Sequence, residues 1–350
     1  MDRVIEIRAA CSPGDVRIAV TDYETLLDAA IWRPGLPDGF DDWHIARIQT
    51  VAPALGGAFV TLHNGDNGFL SCRDALVQGE LISVRVSRSA QNGKGLRLRK
   101  AEPVPDMPVA PTLLACGPSP LEELADRYPD APLYVDAPGV AARLPARLRP
   151  RFQRCQQAFD DTLESDFDEL GSEFADLGQL TASIFPTPAL IAIDLDSASA
   201  PDFKGNVASF PALARQIRLR NLSGTLLVDP AGVKTRKRPA LVSFLRDALL
   251  DDPLKSQVLG ATPSGLLEIT RPRRRPPLHE LLSSPHGRAL SVLRTILRED
   301  RKGRTLTASI SLIRALENDP EALSDFTSRR AAPLELVMDP NVSPASWSLS

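Results

Sequence analysis

Cysteine is scarce. The chain has four in 350 residues, Cys11, Cys72, Cys116 and Cys155, and no two form a C-x-x-C pair. That spacing suggests neither a zinc cage nor a disulfide framework, so reduced, buried thiols are expected. Histidine is equally thin: His44, His63, His279 and His286 show no metal-ligand spacing and read as structural. No G-x-S-x-G, Walker or G-x-G-x-x-G signature occurs in context, which disfavours the chemistries built on them. No basic-then-apolar leader opens the chain and no run of about 18 apolar residues occurs, so a soluble cytoplasmic protein is expected. The formal net charge is −3, which excludes a strongly basic chromatin-like protein but leaves room for local basic patches. No internal repeat is evident.

What is present is patterned enough to divide. At roughly 100–200 residues per domain, the length accommodates two or three. "RVIEIRAACSPGDVRIAVTDYETLLDAAIW" alternates as short strands, assigned to residues 1–37. "HIARIQTV", "GGAFVTLH", "GFLSC", "LISVRVSR" and "GLRLRK" follow, parted by Gly, Asn and Asp turns. Five strands at this spacing predict a small OB-type barrel over 38–100. The proline-rich "AEPVPDMPVAPTLLACGPSP" opens a linker with a short α/β segment, 101–145. From 146 to 280 an α/β region is expected, and from 281 to 350 a small C-terminal α/β segment. The fold class is thus mixed α/β: N-terminal strands with an inserted barrel, then an α/β region. Over 146–177, Phe159, Leu163, Phe167, Leu170 and Phe174 recur at helical spacing, predicting one long amphipathic helix with a solvated acidic face.

"ALIAIDLDSASA" (residues 189–200) is an apolar run that ends in two carboxylates, Asp194 and Asp196, on one side of a strand. A helix, "VASFPALARQIRLRN", and a second strand, "GTLLVDP", then end in Asp229. If the two strands are neighbours, Asp194 and Asp229 meet at one sheet edge, where two hard oxygen donors could hold Mg²⁺ at a phosphodiester. Read alone, each aspartate equally suits a strand-to-loop turn. Between Lys204 and Arg275 the sequence is strongly basic, including Arg215, Arg218, Arg220, Arg271 and Arg273. Such a patch suits a polyanion, or is a solvated face. Phe59 and Phe69, on barrel strands, could stack bases or fill a core; Lys94 in "QNGKGLRLRK" adds charge nearby.

These stretches resemble the bacterial ribonuclease E/G family of single-strand-specific endoribonucleases. "LARQIRLRNLSGTLLVDP" (213–230) is similar to that family's helix and second catalytic strand almost throughout. "ALIAIDLDSA" resembles its first catalytic strand, "GLLEITRPRRR" its later strand and basic tail, and "GGAFVTLHNGDNGFLSCRDAL" its inserted S1 domain. The resemblance implies that Asp194 and Asp229 hold a catalytic Mg²⁺, with Asp196 as a further metal ligand where the family usually has an asparagine that orients the site. It implies cleavage of single-stranded RNA by metal-activated water, leaving 5′-phosphate and 3′-hydroxyl ends. Phe59, Phe69 and Lys94 match S1 positions that bind RNA, and the arginines of the helix and basic tail would guide the strand.

The sequence also departs from the family. Pro230 follows Asp229, with no nearby carboxylate, and Thr61 replaces a usual acidic residue. The Arg-Thr motif that senses 5′-monophosphate ends has no match, so insensitivity to the 5′ end is expected. Where the family carries its C-x-x-C zinc link the chain reads "LHELLSSPHGRAL", so no zinc-linked dimer is expected. The expectation is a compact, Mg²⁺-dependent endoribonuclease. The rivals are a non-catalytic RNA-binding protein of the same descent, and a scaffold that meets other proteins through its acidic helix.

Overall fold

The computed structural model describes residues 4–197 and 202–350. The tail of "ALIAIDLDSASA", 198–200, lies outside them. Strands Trp43–Ala52, Gly57–Thr61, Asn67–Ser71, Leu96–Lys100 and Leu81–Arg88 pair in that order, and the last pairs back to the first, closing a five-stranded barrel. All five sequence-predicted strands are present. Ala46, Ile48, Ala58, Val60, Leu70, Val84, Val86 and Leu98 fill the interior by alternation. Gly57 is required by close approach: a Cβ there would sit 2.0 Å from the Leu70 carbonyl oxygen. The proline-rich segment adds a short strand, Thr112–Ala115, on the Trp43–Ile45 side of the barrel.

A second sheet runs Phe152–Arg154, Leu133–Val135, Ile5–Ser12, Asp15–Asp22, Thr25–Trp32. Its core includes Ile7, Val16, Ile18 and Val20 against Leu121 and Leu124 of helix Pro120–Arg127. The first turn of that helix is closed by a capping box between Ser119 and Glu122.

The third sheet has the order Phe174–Asp176, Thr181–Pro186, Ile191–Asp196, Gly224–Asp229, Leu267–Arg271, Gln257–Ala261. Only the Ile191–Asp196 and Gly224–Asp229 pair is parallel, joined through helix Phe203–Leu219. Phe210, Leu213, Ala214 and Ile217 recur at helical spacing and pack on Ile193, Leu195, Leu226 and Val228. By alternation, the residues between those strand positions stand on the opposite, open face.

The C-terminal segment packs helices Pro285–Arg298, Ile310–Glu317 and Pro320–Arg330 against a three-stranded sheet. Its strand Trp347–Leu349 pairs with Thr305–Ala308, so the C-terminal end is ordered by sheet pairing. Among the described residues, no helix is long and apolar enough to cross a membrane.

Three expectations fail. The single long helix over 146–177 is a shorter helix, Asp161–Glu169, flanked by strands Phe152–Arg154 and Phe174–Asp176. Phe159, Leu163, Phe167 and Leu170 are buried as the periodicity implied, but Phe174 is exposed on a sheet. The apolar period was real over three turns and was extended too far in both directions. Nor is the acidic face simply solvated, because Asp160 caps the helix and Glu164 accepts two hydrogen bonds from buried Arg17, at 2.7 and 2.6 Å. The cysteines are unpaired, but none is fully buried and Cys116 is exposed.

Buried guanidinium groups join these parts. Arg271 is 2% exposed and makes a bidentate pair with Asp252, both contacts at 3.0 Å. Its Nη1 donates to Asn221 Oδ1 and the Leu222 carbonyl oxygen, so every side of the group is satisfied. Removing one partner would strand a buried charge, at a cost of about 3–5 kcal/mol. Arg271→Ala is therefore expected to lower unfolding free energy by about that amount in urea titrations. The double variant Arg271→Met with Asp252→Leu should recover most of the loss.

Candidate functional site

Asp194 and Asp229 lie directly opposite each other on the parallel strands, in register. The buried residues on either side, Ile193 and Leu195, and Val228, face the helix. Both aspartates therefore stand on the open face, with Asp196 two residues beyond Asp194 on the same side. Three loci hold this edge. Asp202 caps the helix by accepting from the Gly205 amide at 2.7 Å. Fully buried Asn206 donates to the Asp202 and Ala231 carbonyl oxygens and accepts from the Ala231 amide, tying the segment after Asp229 to the first helical turn. Arg238 donates from Nη1 to Asp229 Oδ1 at 2.6 Å, and is itself held by the carbonyl oxygens of Val233, Pro230 and Gly265.

The electrostatics are those of crowded like charges. Partial desolvation at the sheet surface, followed by the charges of Asp229 and Asp196, holds the Asp194 carboxyl above the usual carboxylate value. Arg238 offsets one charge of the three. Exposed Lys234, Arg236 and Lys237 follow in the same segment. Among the described residues, no group of three or more His, Cys, Asp or Glu side chains is arranged to hold a metal ion. The pair brought into register is Asp194 with Asp229, and Asp196, read from the sequence as a further metal ligand, stands two residues beyond on the same face.

The structure divides the predicted RNA contacts. Phe59 and Phe69 face each other across paired strands, rings edge-to-face at 5.2 Å, with Phe59 44% exposed. Arg97 lies in register beside Phe69, its guanidinium 4.8 Å from the ring centroid, and Arg88 is next in register. Lys94 is exposed on the Gln91–Lys94 turn nearby. Arg273 lies half-buried over Gly224, whose positive φ (+92°) and absent Cβ make room for it. Burial, together with Arg97 and Arg273, holds the Arg88 guanidinium below its usual value. This cationic, aromatic row meets the sheet at its Gly224 end, about 16–17 Å along the strand from Asp229.

The other arginines do not form a surface. Arg220 is 3% exposed, and its guanidinium donates to the carbonyl oxygens of Glu169, Ser172 and Phe174. Arg271 is buried on Asp252, as above. Both were expected at the RNA and are instead internal ties, because a guanidinium taken out of water must be met by acceptors. Arg215 donates twice to the Leu26 carbonyl oxygen, and Arg218 to that of Leu27 with an ion pair to Asp28 at 3.3 Å. These two fasten the helix to the N-terminal sheet. Sequence reasoning did not single out Arg97, Asn206 and Arg238 as site residues. Arg97 was findable from the outward phase of "GLRLRK"; the other two give no local signal, since their roles arise only when distant segments meet.

Comparison with known proteins agrees with this geometry. Residues 163–274 match the Ribonuclease E/G family model. It is 35% identical over 91 residues to Ribonuclease G of Salmonella typhimurium, a stretch covering 25% of this chain and 19% of that protein. It is 36% identical over 91 residues to Ribonuclease G of Haemophilus influenzae, 25% and 18% of the two chains. To Ribonuclease E of Escherichia coli it is 36% identical over 109 residues, 29% and 10% of the two. The matched stretch thus spans about a fifth or less of these relatives. The barrel is consistent with an S1/OB-type module.

Like charges opposed across a sheet cost stability. Asp194→Asn should therefore leave the fold intact and raise the melting temperature slightly at neutral pH without added divalent metal, as read by calorimetry. A fall in melting temperature would instead mark Asp194 as a structural turn residue.

Proposed function

We propose that the protein is a metal-dependent endoribonuclease acting on single-stranded RNA. The observation that carries this reading is the in-register pairing of Asp194 and Asp229 on the open face of the sheet, within the segment similar to Ribonuclease E/G. The pair suits Mg²⁺: two carboxylates on one face, with negative charge beyond what Arg238 offsets, meet the preference of that ion for one or two carboxylates and retained water. Asp194 and Asp229 would hold it, and when bound it supplies charge neutralisation at the phosphate and acidification of water.

The chain's own residues do the rest. Arg238 fixes one oxygen of Asp229, whose side chain stays exposed. Asn206 keeps the segment after Asp229 from shifting. Asp196 adds a third negative charge beside the pair, on the same face. Lys234, Arg236 and Lys237 attract the RNA backbone toward the carboxylates. At the far end of the sheet, Phe59 and Phe69 offer ring faces to unpaired bases, while Lys94, Arg97, Arg88 and Arg273 hold phosphates. Hydrolysis by an activated water would leave 5′-phosphate and 3′-hydroxyl ends. Without a C-x-x-C pair the chain offers no thiolate pair for a zinc-linked dimer, and the reading is of a protein that works without one.

The Arg238–Asp229 ion pair favours a second reading, an RNA-binding protein in which the cation of Arg238 takes the place of a metal ion. Cleavage separates the two. With Mg²⁺, the wild type should cut a single-stranded RNA, and Asp194→Asn with Asp229→Asn should cut none while binding it within a few-fold of wild type. No product from the wild type would favour the binder. Phe69→Ala is expected to weaken RNA binding by about 1–3 kcal/mol, roughly 5- to 150-fold, in fluorescence anisotropy.

A further inference from the structure

We infer that Phe185 and Phe174, on the open face beside Asp194, form a stacking platform for the unpaired bases next to the cleaved bond. This rests on the endoribonuclease reading above. Ala182 and Ile184 are buried against the helix side, so Phe185, between and beyond them, stands on the face that carries Asp194. Phe185 is in register with Ala192, which is in register with Leu227. An apolar row, Phe185, Ala192, Leu227, thus runs parallel to the row Ser183, Asp194, Asp229, displaced by two residues along the strands. Phe174 extends the acidic row by pairing with Ser183. From strand spacing, Phe185 lies about 8 Å and Phe174 about 10 Å from Asp194, backbone to backbone.

Both rings are open to solvent: Phe174 is 58% and Phe185 45% exposed. The chain has few aromatics to spend, at 5%. Other exposed phenylalanines have ring partners, Phe59 with Phe69 and Phe244 with Phe203. Among the described residues, neither Phe174 nor Phe185 packs on another aromatic ring. A phosphate drawn to Asp194 and Asp229 by a metal ion, and to Lys234, Arg236 and Lys237 by charge, would leave its flanking base over the apolar row. An unpaired base has a free face for such a ring, whereas a base within a helix does not. A second copy of the chain is the weaker occupant. A two-fold contact through this face would bring Asp194, Asp196 and Asp229 toward the same carboxylates of the partner. Stacking tolerates every base, so the platform would position the strand without reading its sequence.

The test is a set of RNA oligonucleotides, each with one abasic nucleotide, scanned through the cut site and assayed with wild type, Phe185→Ala and Phe174→Ala. On intact RNA each variant should lose about tenfold in kcat/KM, with melting temperature unchanged. Removing the base one or two nucleotides from the cut bond should cost wild type about tenfold and cost the matching variant little more. Wild-type rates from both variants, or abasic losses that add in full to those of the variants, would overturn the platform while leaving the nuclease reading intact. If wild type cuts no RNA, the nuclease reading fails and takes the platform with it. A wild-type dimer in sedimentation that the two substitutions dissolve, with cleavage unchanged, would assign the face to a second copy and overturn the proposal.

Discussion

The fastening of helix Phe203–Leu219 by its own arginines is the constraint on which the arrangement depends. Strand Thr25–Trp32 is the outer strand of the N-terminal sheet, and an outer strand presents carbonyl oxygens without a neighbouring strand. Arg215 and Arg218 supply the donors, to Leu26 and Leu27. Leu27 lies at a bulge in the pairing with Asp15–Asp22, which frees its carbonyl from the ladder. At the end of the same helix, Arg220 gathers three carbonyl oxygens from the segment between helix Asp161–Glu169 and strand Phe174–Asp176. One helix thereby couples the two sheets and fixes the strand that begins the open face.

That coupling explains a pattern of charge that composition alone misleads about. The region Lys204–Arg275 is rich in Lys and Arg, yet its cations serve two different ends. Arg215, Arg218, Arg220, Arg271 and Arg275 are anchored to carbonyl oxygens or carboxylates; Arg275 joins Asp38 and Glu123 while packing on Phe40. Lys204, Lys234, Arg236, Lys237, Lys255 and Arg274 are exposed. A guanidinium can be buried because its five donors form a planar fork that several acceptors can meet at once; an ammonium cannot be so fully engaged. Consistently, the buried ties are arginines and the lysines of the region remain in water.

The parts of the fold legible in sequence were those written in local periodicity and turns. The five barrel strands could be read because Gly, Asn and Asp punctuate an alternating pattern, and the Asp194 and Asp229 strands because apolar runs end abruptly in carboxylates. Their adjacency was only a condition of that reading, because a crossover helix favours parallel neighbours without fixing them; the structure supplies it. The over-long helix at 146–177 failed because periodicity does not mark where tertiary contacts cut a helix short. Here strand pairing at Phe152–Arg154 and the donors of Arg220 set its limits. Arg220 and Arg271 were misplaced for a related reason: sequence shows a charge but not whether acceptors from residues 169–174 or 252 will surround it. The braces around Asp229 lay beyond reach likewise, because Arg238, which pairs with it, and Asn206, which holds Ala231, acquire meaning only once the loop closes.

The carboxylate row is where local stability and the rest of the design disagree. Two aspartates opposed in a sheet repel, and a third follows two residues on, at positions where threonine or valine would suit a strand better. A fold selected for stability alone has no need of that row, and the sequence does little to relieve it. Arg238 offsets one charge, and the carboxyl of Asp194 still stands above its ordinary value. Meanwhile Asn206, an uncharged buried amide, is devoted to holding the loop after Asp229 in place. Strain that is kept, and then braced by a residue with no other task, points to a requirement outside folding. The surplus negative charge on an open face beside exposed lysines and an apolar row has a physical use as a seat for a cation between protein and polyanion. That surplus separates this edge from an ordinary strand-to-loop turn, where one aspartate would have been enough.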